Sequence, residues 1–324
     1  MNKKLTIVMY HYVRDLKRSR FPAIQGLSTP QFVEQIEYLE KHYQLITAED
    51  LMSCAETGAD LPPKAALLTF DDGYLDHFTE VFPVLDERNI QGCFFLPSKA
   101  ILENRVLDVN KSHFILATAP DKLKIMNEIF SLLDEHRAQH QLKSNQEYFE
   151  ALATDDRYDV KEIVFIKRFF QKGAPAELRK KILDLLFKKY VTADEASFAG
   201  ELYMNRDQIK CMKNHGMTIG SHGHDHRWLE LDDPKTQEQE VRSSLGFLKS
   251  LGCDTKRWIM SYPYGSQNDS LRSIVGREGC KAALTSRIAM ADLDKDDPLL
   301  LPRLDTNDLP KERNASPNEW TLKR

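Results

Sequence analysis

The chain has 324 residues, of which 41% are hydrophobic and 29% charged, and its formal net charge is −4. This balance is ordinary for a folded enzyme and gives no indication of nucleic-acid binding. No apolar run approaches the roughly 18 residues that span a membrane. The apolar run near the N-terminus, residues 5–9, is shorter than the roughly 7–15 apolar residues of a secretory signal peptide. We therefore expect a cytoplasmic protein without a transmembrane segment.

Short apolar runs typical of strands alternate with amphipathic helical patterns towards both ends of the chain. The predicted strands are residues 5–11, 65–70, 91–97, 217–221, 257–262, 281–285 and 298–304. The predicted helices are residues 29–41, 76–88, 205–214, 235–251 and 268–278. This alternation predicts a parallel α/β sheet or barrel.

Residues 102–201 interrupt the alternation with apolar residues at helical spacing. The first such stripe consists of Leu123, Met126, Phe130 and Leu133. These stripes predict an all-helical insertion whose members pack together. The barrel is then discontinuous, formed by residues 1–101 and 202–309, with a flexible tail over residues 310–324. We consider three roles for the insertion: a lid, a substrate wall or a surface for oligomer formation.

An acidic pair follows the second predicted strand, in Thr69-Phe70-Asp71-Asp72-Gly73. In a parallel barrel the carboxyl ends of the strands line the active site, and adjacent residues point in different directions. One carboxylate can therefore bind a metal while the other faces the substrate. The alternative is a plain turn, because Asp and Gly are common turn formers.

Three histidines lie close together in Ser221-His222-Gly223-His224-Asp225-His226. On a helical turn, the spacing of four puts His222 and His226 on one face, with His224 facing away. A zinc-like ion takes imidazole nitrogen and carboxylate oxygen together, and catalytic sites use three protein ligands. Asp72, His222 and His226 supply three. The alternative is a solvated polar turn.

A third motif, Ser261-Tyr262-Pro263-Tyr264-Gly265, follows a short strand-like run. Proline and glycine fix a tight loop there. Such a loop can present a backbone N–H to a developing oxyanion. A plain strand-to-helix turn is the alternative reading.

In this order the three motifs resemble those of the polysaccharide deacetylases of carbohydrate esterase family 4. Met9-Tyr10-His11-Tyr12-Val13 and Gly92-Cys93-Phe94-Phe95-Leu96-Pro97 add to the match. The resemblance covers roughly residues 5–100 and 203–305. It implies an α/β fold, a distorted (β/α) barrel of about seven parallel strands with an all-helical insertion.

The resemblance also implies roles for individual residues. Asp71 matches the catalytic base, and Asp72, His222 and His226 match the ligands of a divalent metal, Zn²⁺ in the first place with Co²⁺ or Ni²⁺ as alternatives. Tyr264 matches the residue whose backbone N–H holds the oxyanion. Water activated at the metal would attack an N-acetyl carbon while Asp71 takes its proton, releasing acetate and an amine.

The chain departs from the family pattern in three places. Gly223 stands where Ser or Thr is usual, the arginine before the Pro-Tyr-Gly loop is missing near Ser261, and no histidine after His226 can supply the usual general acid. We hypothesise that Arg303 pairs with Asp71, the alternative being a surface arginine. We also hypothesise that His11, at the end of the first strand, supports the site or acts as the acid.

The expected partner is an N-acetylated carbohydrate: a polysaccharide, an oligosaccharide or a nucleotide-sugar or glycan precursor. The expected cytoplasmic location favours a precursor. Two other functions stay open. Relatives on this scaffold cleave cyclic amides or ureides, and a non-catalytic carbohydrate-binding module would keep the fold without the chemistry.

Overall fold

The computed structural model describes residues 2–323 of the chain. Its strands are β1 (Lys4–Tyr10), β2 (Val13–Arg14), β3 (Leu27–Ser28), β4 (Gln44–Leu45), β5 (Ala65–Phe70), β6 (Gly92–Leu96), β7 (Thr218–Ser221), β8 (Trp258–Ser261), β9 (Cys280–Leu284), β10 (Ala291–Asp292) and β11 (Leu304–Asp305). Its α-helices are α1 (Thr29–His42), α2 (Ala48–Thr57), α3 (Phe82–Glu87), α4 (Ser98–Glu103), α5 (Asp108–Thr118), α6 (Lys122–His140), α7 (Asn145–Leu152), α8 (Lys161–Arg168), α9 (Ala176–Tyr190), α10 (Glu195–Leu202), α11 (Arg206–Asn214), α12 (Pro234–Ser250), α13 (Asp269–Arg277) and α14 (Glu319–Leu322).

The chain divides into two units. The first consists of the residues up to Asp15, of Gly26–Glu103 and of the chain from Gly200 onward. The second consists of Leu16–Gln25 and Asn104–Ala199. The short segment before Gly26 therefore belongs with the helical insertion, although nothing in its sequence pattern indicated this.

A curled sheet forms the centre of the first unit, in the order β10-β1-β5-β6-β7-β8-β9. Neighbouring strands are parallel from β1 through β9, and only β10 runs antiparallel, beside β1. The strands β5 and β6 are buried along their whole length, as expected for parallel strands covered on both faces. These features confirm the predicted distorted barrel with strands alternating with helices.

The last predicted strand, residues 298–304, is only partly a strand. Pro298–Leu300 is a 3₁₀ turn, and only Leu304–Asp305 pairs regularly, with β1. Leu301 makes a single bridge to Leu284 of β9. Proline cannot donate to a ladder, so Pro298 and Pro302 interrupt the pairing. Residues 301–305 therefore pair with β9 at one end and with β1 at the other, and so connect the two sides of the curled sheet. We call these residues the seam.

The helices of the first unit begin where the sequence provides caps. Ser28 and Gln31 form a capping box at α1, and Thr47 and Asp50 form another at α2, a helix that the sequence analysis missed. Asn205 caps α11 in the same way. These short helices cover the outside of the sheet and leave its carboxyl edge to the loops.

The second unit consists of helices, as predicted for the insertion, and residues 104–199 contain α5–α9 and most of α10. Its core includes the fully buried Lys111, whose ammonium lies within ion-pair distance of Asp184 and, at 3.0 Å, of Glu195. A buried charge is tolerated only when it is paired, so these two carboxylates fix α5 against α9 and α10.

Residues 310–323 do not form the loose tail expected from their polar composition. Helix α14 begins at Glu319, and Thr321 within it is buried. The Thr321 hydroxyl contacts the Tyr38 hydroxyl at 2.8 Å and accepts from that of Tyr43 at 3.2 Å. Long-range hydrogen bonds of this kind hold a polar segment without apolar periodicity. Among residues 2–323, no helix combines the length and apolarity needed to cross a membrane.

Candidate active site

The acidic pair lies at the carboxyl end of β5 and is buried. Asp71 continues the register of the sheet, because its N–H donates to the Tyr10 carbonyl at 3.0 Å. Asp72 then adopts a left-handed backbone, with φ 75°, and Gly73 follows at φ 67°. This sharp turn sends the two carboxylates in different directions, as the sequence analysis expected.

The two outer histidines of the second motif face Asp72, but not from a helical turn. His222 follows β7 directly, and the chain then passes through Gly223 at φ 72° and His226 at φ 48° in an irregular loop. The prediction of helical spacing was therefore wrong, since two left-handed residues rather than a helix bring the imidazoles together. Asp72 Oδ1 lies 3.4 Å from His222 Nε2 and 3.3 Å from His226 Nε2.

We call Asp72, His222 and His226 the ligand triad, and its geometry fits a divalent metal. One ligand atom from each residue lies within 4.8 Å of the others. The Nδ1 of His222 is 2.7 Å from the Ser261 carbonyl oxygen, to which it donates. This bond fixes the tautomer and leaves the Nε2 lone pair directed at the triad, as in metal-binding histidines.

The carboxylate of Asp72 is unequally satisfied. Its Oδ2 accepts a hydrogen bond of 2.6 Å from the Tyr74 hydroxyl. Its Oδ1 is buried and has no hydrogen-bond partner among the described residues. A buried charged oxygen facing imidazole nitrogens is costly unless a cation completes the site. Two nitrogens and one carboxylate oxygen are a donor set that suits Zn²⁺, which in catalytic sites takes three protein ligands and a water.

Asp71 belongs to a different set of contacts, which we call the base network: Asp71, Arg303 and Ser261. Arg303 donates from Nη1 to Asp71 Oδ1 at 3.0 Å and from Nη2 to Oδ2 at 2.7 Å. The Ser261 hydroxyl donates to Oδ2 at 3.1 Å and accepts from Arg303 at 2.8 Å. The hypothesis that Arg303 pairs with Asp71 is confirmed, and the surface alternative is excluded because Arg303 is 2% exposed.

The pairing determines the ionisation of Asp71. Burial alone would raise its pKa, but the positive charge of Arg303, helped by His222, lowers that pKa from 3.8 to about 2. For Asp72, burial is likewise outweighed by the two triad histidines, which hold its pKa well below its ordinary value. Both carboxylates are therefore ionised at neutral pH, although both are buried.

Arg303 reaches Asp71 from the seam. Its backbone N–H donates to the Arg287 carbonyl at 3.0 Å, and its Nε donates to the Thr285 carbonyl at 2.9 Å. Thr285 directly follows β9. The guanidinium is thus held by β9 at its base and by Asp71 at its tip, in the bidentate geometry that Arg adopts with carboxylates.

His11 and Tyr264 border these contacts. His11 directly follows β1, at the same edge of the sheet as Asp71. Tyr264 has a left-handed backbone, with φ 59°, in the 3₁₀ turn Pro263–Gly265. Its ring lies edge-on to His226, with centroids 4.6 Å apart, and stacks on Trp228 at 4.9 Å. The roles of His11 as acid and of the Tyr264 N–H as oxyanion donor stay predictions.

Sequence reasoning missed three contributors to the site. The sequence analysis assigned no role to Tyr74, which follows the acidic motif, or to Trp228, and it noted Ser261 only within its motif and near a missing arginine. Their contacts are not encoded by spacing: Tyr74 donates to Asp72, Ser261 bonds both Asp71 and Arg303, and the ring of Trp228 stacks on Tyr264. Of the three, Tyr74 was the easiest to find from the sequence, because it lies only two residues after Asp72, which it contacts.

Comparison with known proteins identifies the family of the chain. The chain matches the family model described as polysaccharide deacetylase over residues 58–161 and 168–283. It is 28% identical over 99 residues to YxkH of Bacillus subtilis (strain 168), covering 30% of this chain and 33% of YxkH. It is 36% identical over 80 residues to the poly-beta-1,6-N-acetyl-D-glucosamine N-deacetylase of Escherichia coli (strain K12), covering 24% of this chain and 12% of that protein. The matched region thus spans a third or less of these relatives.

Solved structures align over most of the chain. The Streptococcus pyogenes deacetylase PplD in complex with acetate has a TM-score of 0.57 at 16% identity, covering 94% of this chain and 93% of PplD. IcaB from Ammonifex degensii has a TM-score of 0.53 at 18% identity, with the same two coverages. At such identities the likeness shows the fold. The family model covers well over half of the sequence, so the chain belongs to the polysaccharide deacetylase family.

Proposed function

We propose that the chain is a divalent-metal-dependent deacetylase that hydrolyses the N-acetyl group of an amino sugar to acetate and a free amine. The observation that carries the proposal is the pairing of two buried sets of contacts at one strand end. The ligand triad offers three metal ligands within 4.8 Å, and the neighbouring Asp71 is held ionised by Arg303. The name of the Escherichia coli relative supports the N-acetyl amino sugar as substrate.

In the proposed mechanism, Asp72, His222 and His226 would hold the metal, which would supply Lewis acidity towards the acetyl carbonyl and lower the pKa of water. Asp71 accepts the proton of the attacking water. It is ionised for this role across the neutral range because its pKa is about 2. Arg303 and Ser261 fix the direction of the carboxylate, so that it loses little freedom when the substrate binds.

Two further groups complete the proposed reaction. The backbone N–H of Tyr264 would donate to the oxygen of the tetrahedral intermediate, where its charge develops. The imidazole of His11 would give a proton to the leaving nitrogen as the C–N bond breaks. The sequence has no histidine after His226 to act as the acid. We assign this role to His11 because it lies at the end of β1.

Substrate class and metal are tested together. Protein freed of metal and reloaded with Zn²⁺, Co²⁺ or Ni²⁺ would be incubated with N-acetylated monosaccharides, nucleotide sugars and β-1,6-linked oligosaccharides, and acetate would be measured. We expect acetate from at least one class, abolished by a chelator and restored by metal.

The same panel includes a cyclic imide and a ureide. Ring opening of these without acetate release from any sugar would favour the cyclic amide hydrolase instead. Sugar binding with no turnover under any metal would favour a non-catalytic module. The assembled triad beside an ionised Asp71 gives that last function no support, because a binding module needs neither.

A further inference from the structure

The loop that carries two of the triad residues contains unfavourable backbone. Gly223 and His226 both lie in the left-handed region, at φ 72° and φ 48°. For a histidine this conformation is disfavoured, and it persists only where the surrounding structure fixes it. Some contact outside the triad must therefore hold residues 222–226 in place.

One buried side chain binds the peptide N–H groups of this loop. Glu240 of α12 is 7% exposed, and its Oε2 accepts from the N–H of His224 at 3.1 Å and from that of Asp225 at 2.9 Å. The preceding N–H, of Gly223, donates to the Ser221 hydroxyl at 3.1 Å. All three amides between the triad histidines are thus satisfied, two of them by one carboxylate oxygen.

The carbonyl side of the loop is held by the start of α4. The Ser98 N–H donates to the Gly223 carbonyl at 3.2 Å, and the Lys99 N–H donates to the His224 carbonyl at 2.9 Å. The Ser98 hydroxyl also contacts His224 Nδ1 at 2.8 Å. The loop is therefore held on two sides: the start of α4 donates to its carbonyl groups, and Glu240 accepts from its amide groups.

We propose that Glu240 is a positioning residue, which holds the loop so that His222 and His226 face Asp72 before any metal binds. The inference rests on the metal site of the proposed function. Gly223 offers no side-chain acceptor where the family usually has Ser or Thr, so acceptors for the loop amides must come from elsewhere. Glu240 provides them from a neighbouring helix.

Three variants separate position from charge. Glu240→Ala removes the acceptor. Glu240→Asp keeps the charge, but its side chain is one methylene shorter and the carboxylate lies farther from the loop. Glu240→Gln keeps an acceptor oxygen in place without the charge. The matched control is Glu238→Ala on the same helix, because Glu238 pairs with Arg277 and Arg242 instead of the loop.

Zinc affinity of the metal-free proteins, measured by calorimetry, is the first readout. We expect Glu240→Ala and Glu240→Asp to bind Zn²⁺ about 10- to 100-fold more weakly, the range for groups that support metal ligands. Glu240→Gln and Glu238→Ala should stay near wild type. Wild-type affinity in both Ala and Asp variants, or an equal loss in Gln and Asp, would overturn the proposal. If the Ala variant does not fold, the Gln and Asp pair decides.

Hydrogen exchange of the His224 and Asp225 amides, without metal, is the second readout. They should exchange slowly in wild type and Glu240→Gln and faster in Glu240→Asp. Equal exchange in all three would contradict a preset loop, whatever the zinc result. Protected amides in a wild-type protein that binds no metal would instead refute the metal site of the proposed function and leave the role of Glu240 in the loop standing.

Discussion

The ligand triad and the base network contain adjacent aspartates, Asp72 and Asp71, but the two carboxylates have very different contacts. Both oxygens of Asp71 accept hydrogen bonds, and Arg303 neutralises its charge. Asp72 has one oxygen bonded to Tyr74 and one buried oxygen that has no hydrogen-bond partner among the described residues. The first carboxylate is balanced by Arg303, whereas the second leaves one oxygen facing the two triad histidines, which suits the proposed metal.

This difference explains how two neighbouring aspartates can take separate tasks. A carboxylate held in a bidentate pair has a fixed direction and stays ionised, which suits a base. A carboxylate with an open oxygen between two imidazoles is suited to a metal. The contacts that distinguish the two residues come mainly from distant parts of the chain, Arg303 for Asp71 and the two triad histidines for Asp72.

The largest effect should come from Asp71→Asn. Removing the proposed base should lower turnover by about 10²- to 10⁴-fold, while the intact triad keeps its metal. Acetate release and bound metal per chain are the measurements. Asp207→Asn, an exposed change on α11, is the matched control. Near-full turnover in Asp71→Asn would show that the base lies elsewhere and that the two sets of contacts are not divided as described.

Arg303→Met breaks the base network from its other side. The buried Asp71 is then left unpaired, and we expect the free energy of unfolding to fall by about 3–5 kcal/mol. Denaturant unfolding measures this. Arg242→Met, at a side chain that is 62% exposed, should change little. A loss as small as that of the control would mean that the pair contributes nothing to the fold.

The same variant has a pH signature. In the native protein the pKa of Asp71 is lowered to about 2, so the pair stabilises the fold above about pH 4 and this contribution is lost as the pH falls towards 2. Without Arg303, the largest remaining influence is burial, which raises the pKa. The acid limb of kcat/KM should therefore move to higher pH in Arg303→Met. An unmoved limb would contradict the assignment of Asp71 as the base.

His226→Ala tests the triad alone. Losing one of three ligands should weaken zinc binding by more than the roughly 100-fold upper range for supporting residues, with the base network unchanged. Calorimetric titration with Zn²⁺ measures it, and the exposed His215→Ala is the control. If zinc affinity were retained, His226 would not be a ligand.

Tyr74→Phe should have the smallest effect. It removes the one hydrogen bond to Asp72 Oδ2 without opening a cavity, and we expect zinc affinity to fall by about 10-fold. Tyr10→Phe is a close control, since its buried hydroxyl has no hydrogen-bond partner among residues 2–323. Equal affinities in the two variants would show that Tyr74 does not orient Asp72.

The sequence carried most of the information on which residues form the site. The strand before Asp71, the histidine motif and the proline-glycine loop each have local patterns, and the missing family arginine directed attention to Arg303. Its pairing with Asp71 was then predictable because both follow apolar runs that end at one edge of a barrel.

What the sequence did not provide is the backbone path and the supporting contacts. A spacing of four suggested a helical turn for His222 and His226, but the left-handed residues that form the loop have no signature beyond Gly223. Glu240 lies in an ordinary amphipathic helix, and only the folded structure shows that it faces the loop. Residues 310–323 were likewise predicted to be a flexible tail from their polar composition, but long-range hydrogen bonds such as that between Thr321 and Tyr38 hold them against the rest of the first unit.

The seam has a consequence for folding. Asp71 and Arg303 are 232 positions apart in the chain, so their bond forms only after the sheet has closed at β11. Contacts of such high sequence separation are slow to form. Before then, Asp71 has no guanidinium to offset its burial, and its carboxylate stays hydrated or protonated. Closing the barrel and pairing the proposed base with Arg303 are therefore one event, and a chain that has not closed would have Asp71 without the partner that holds it.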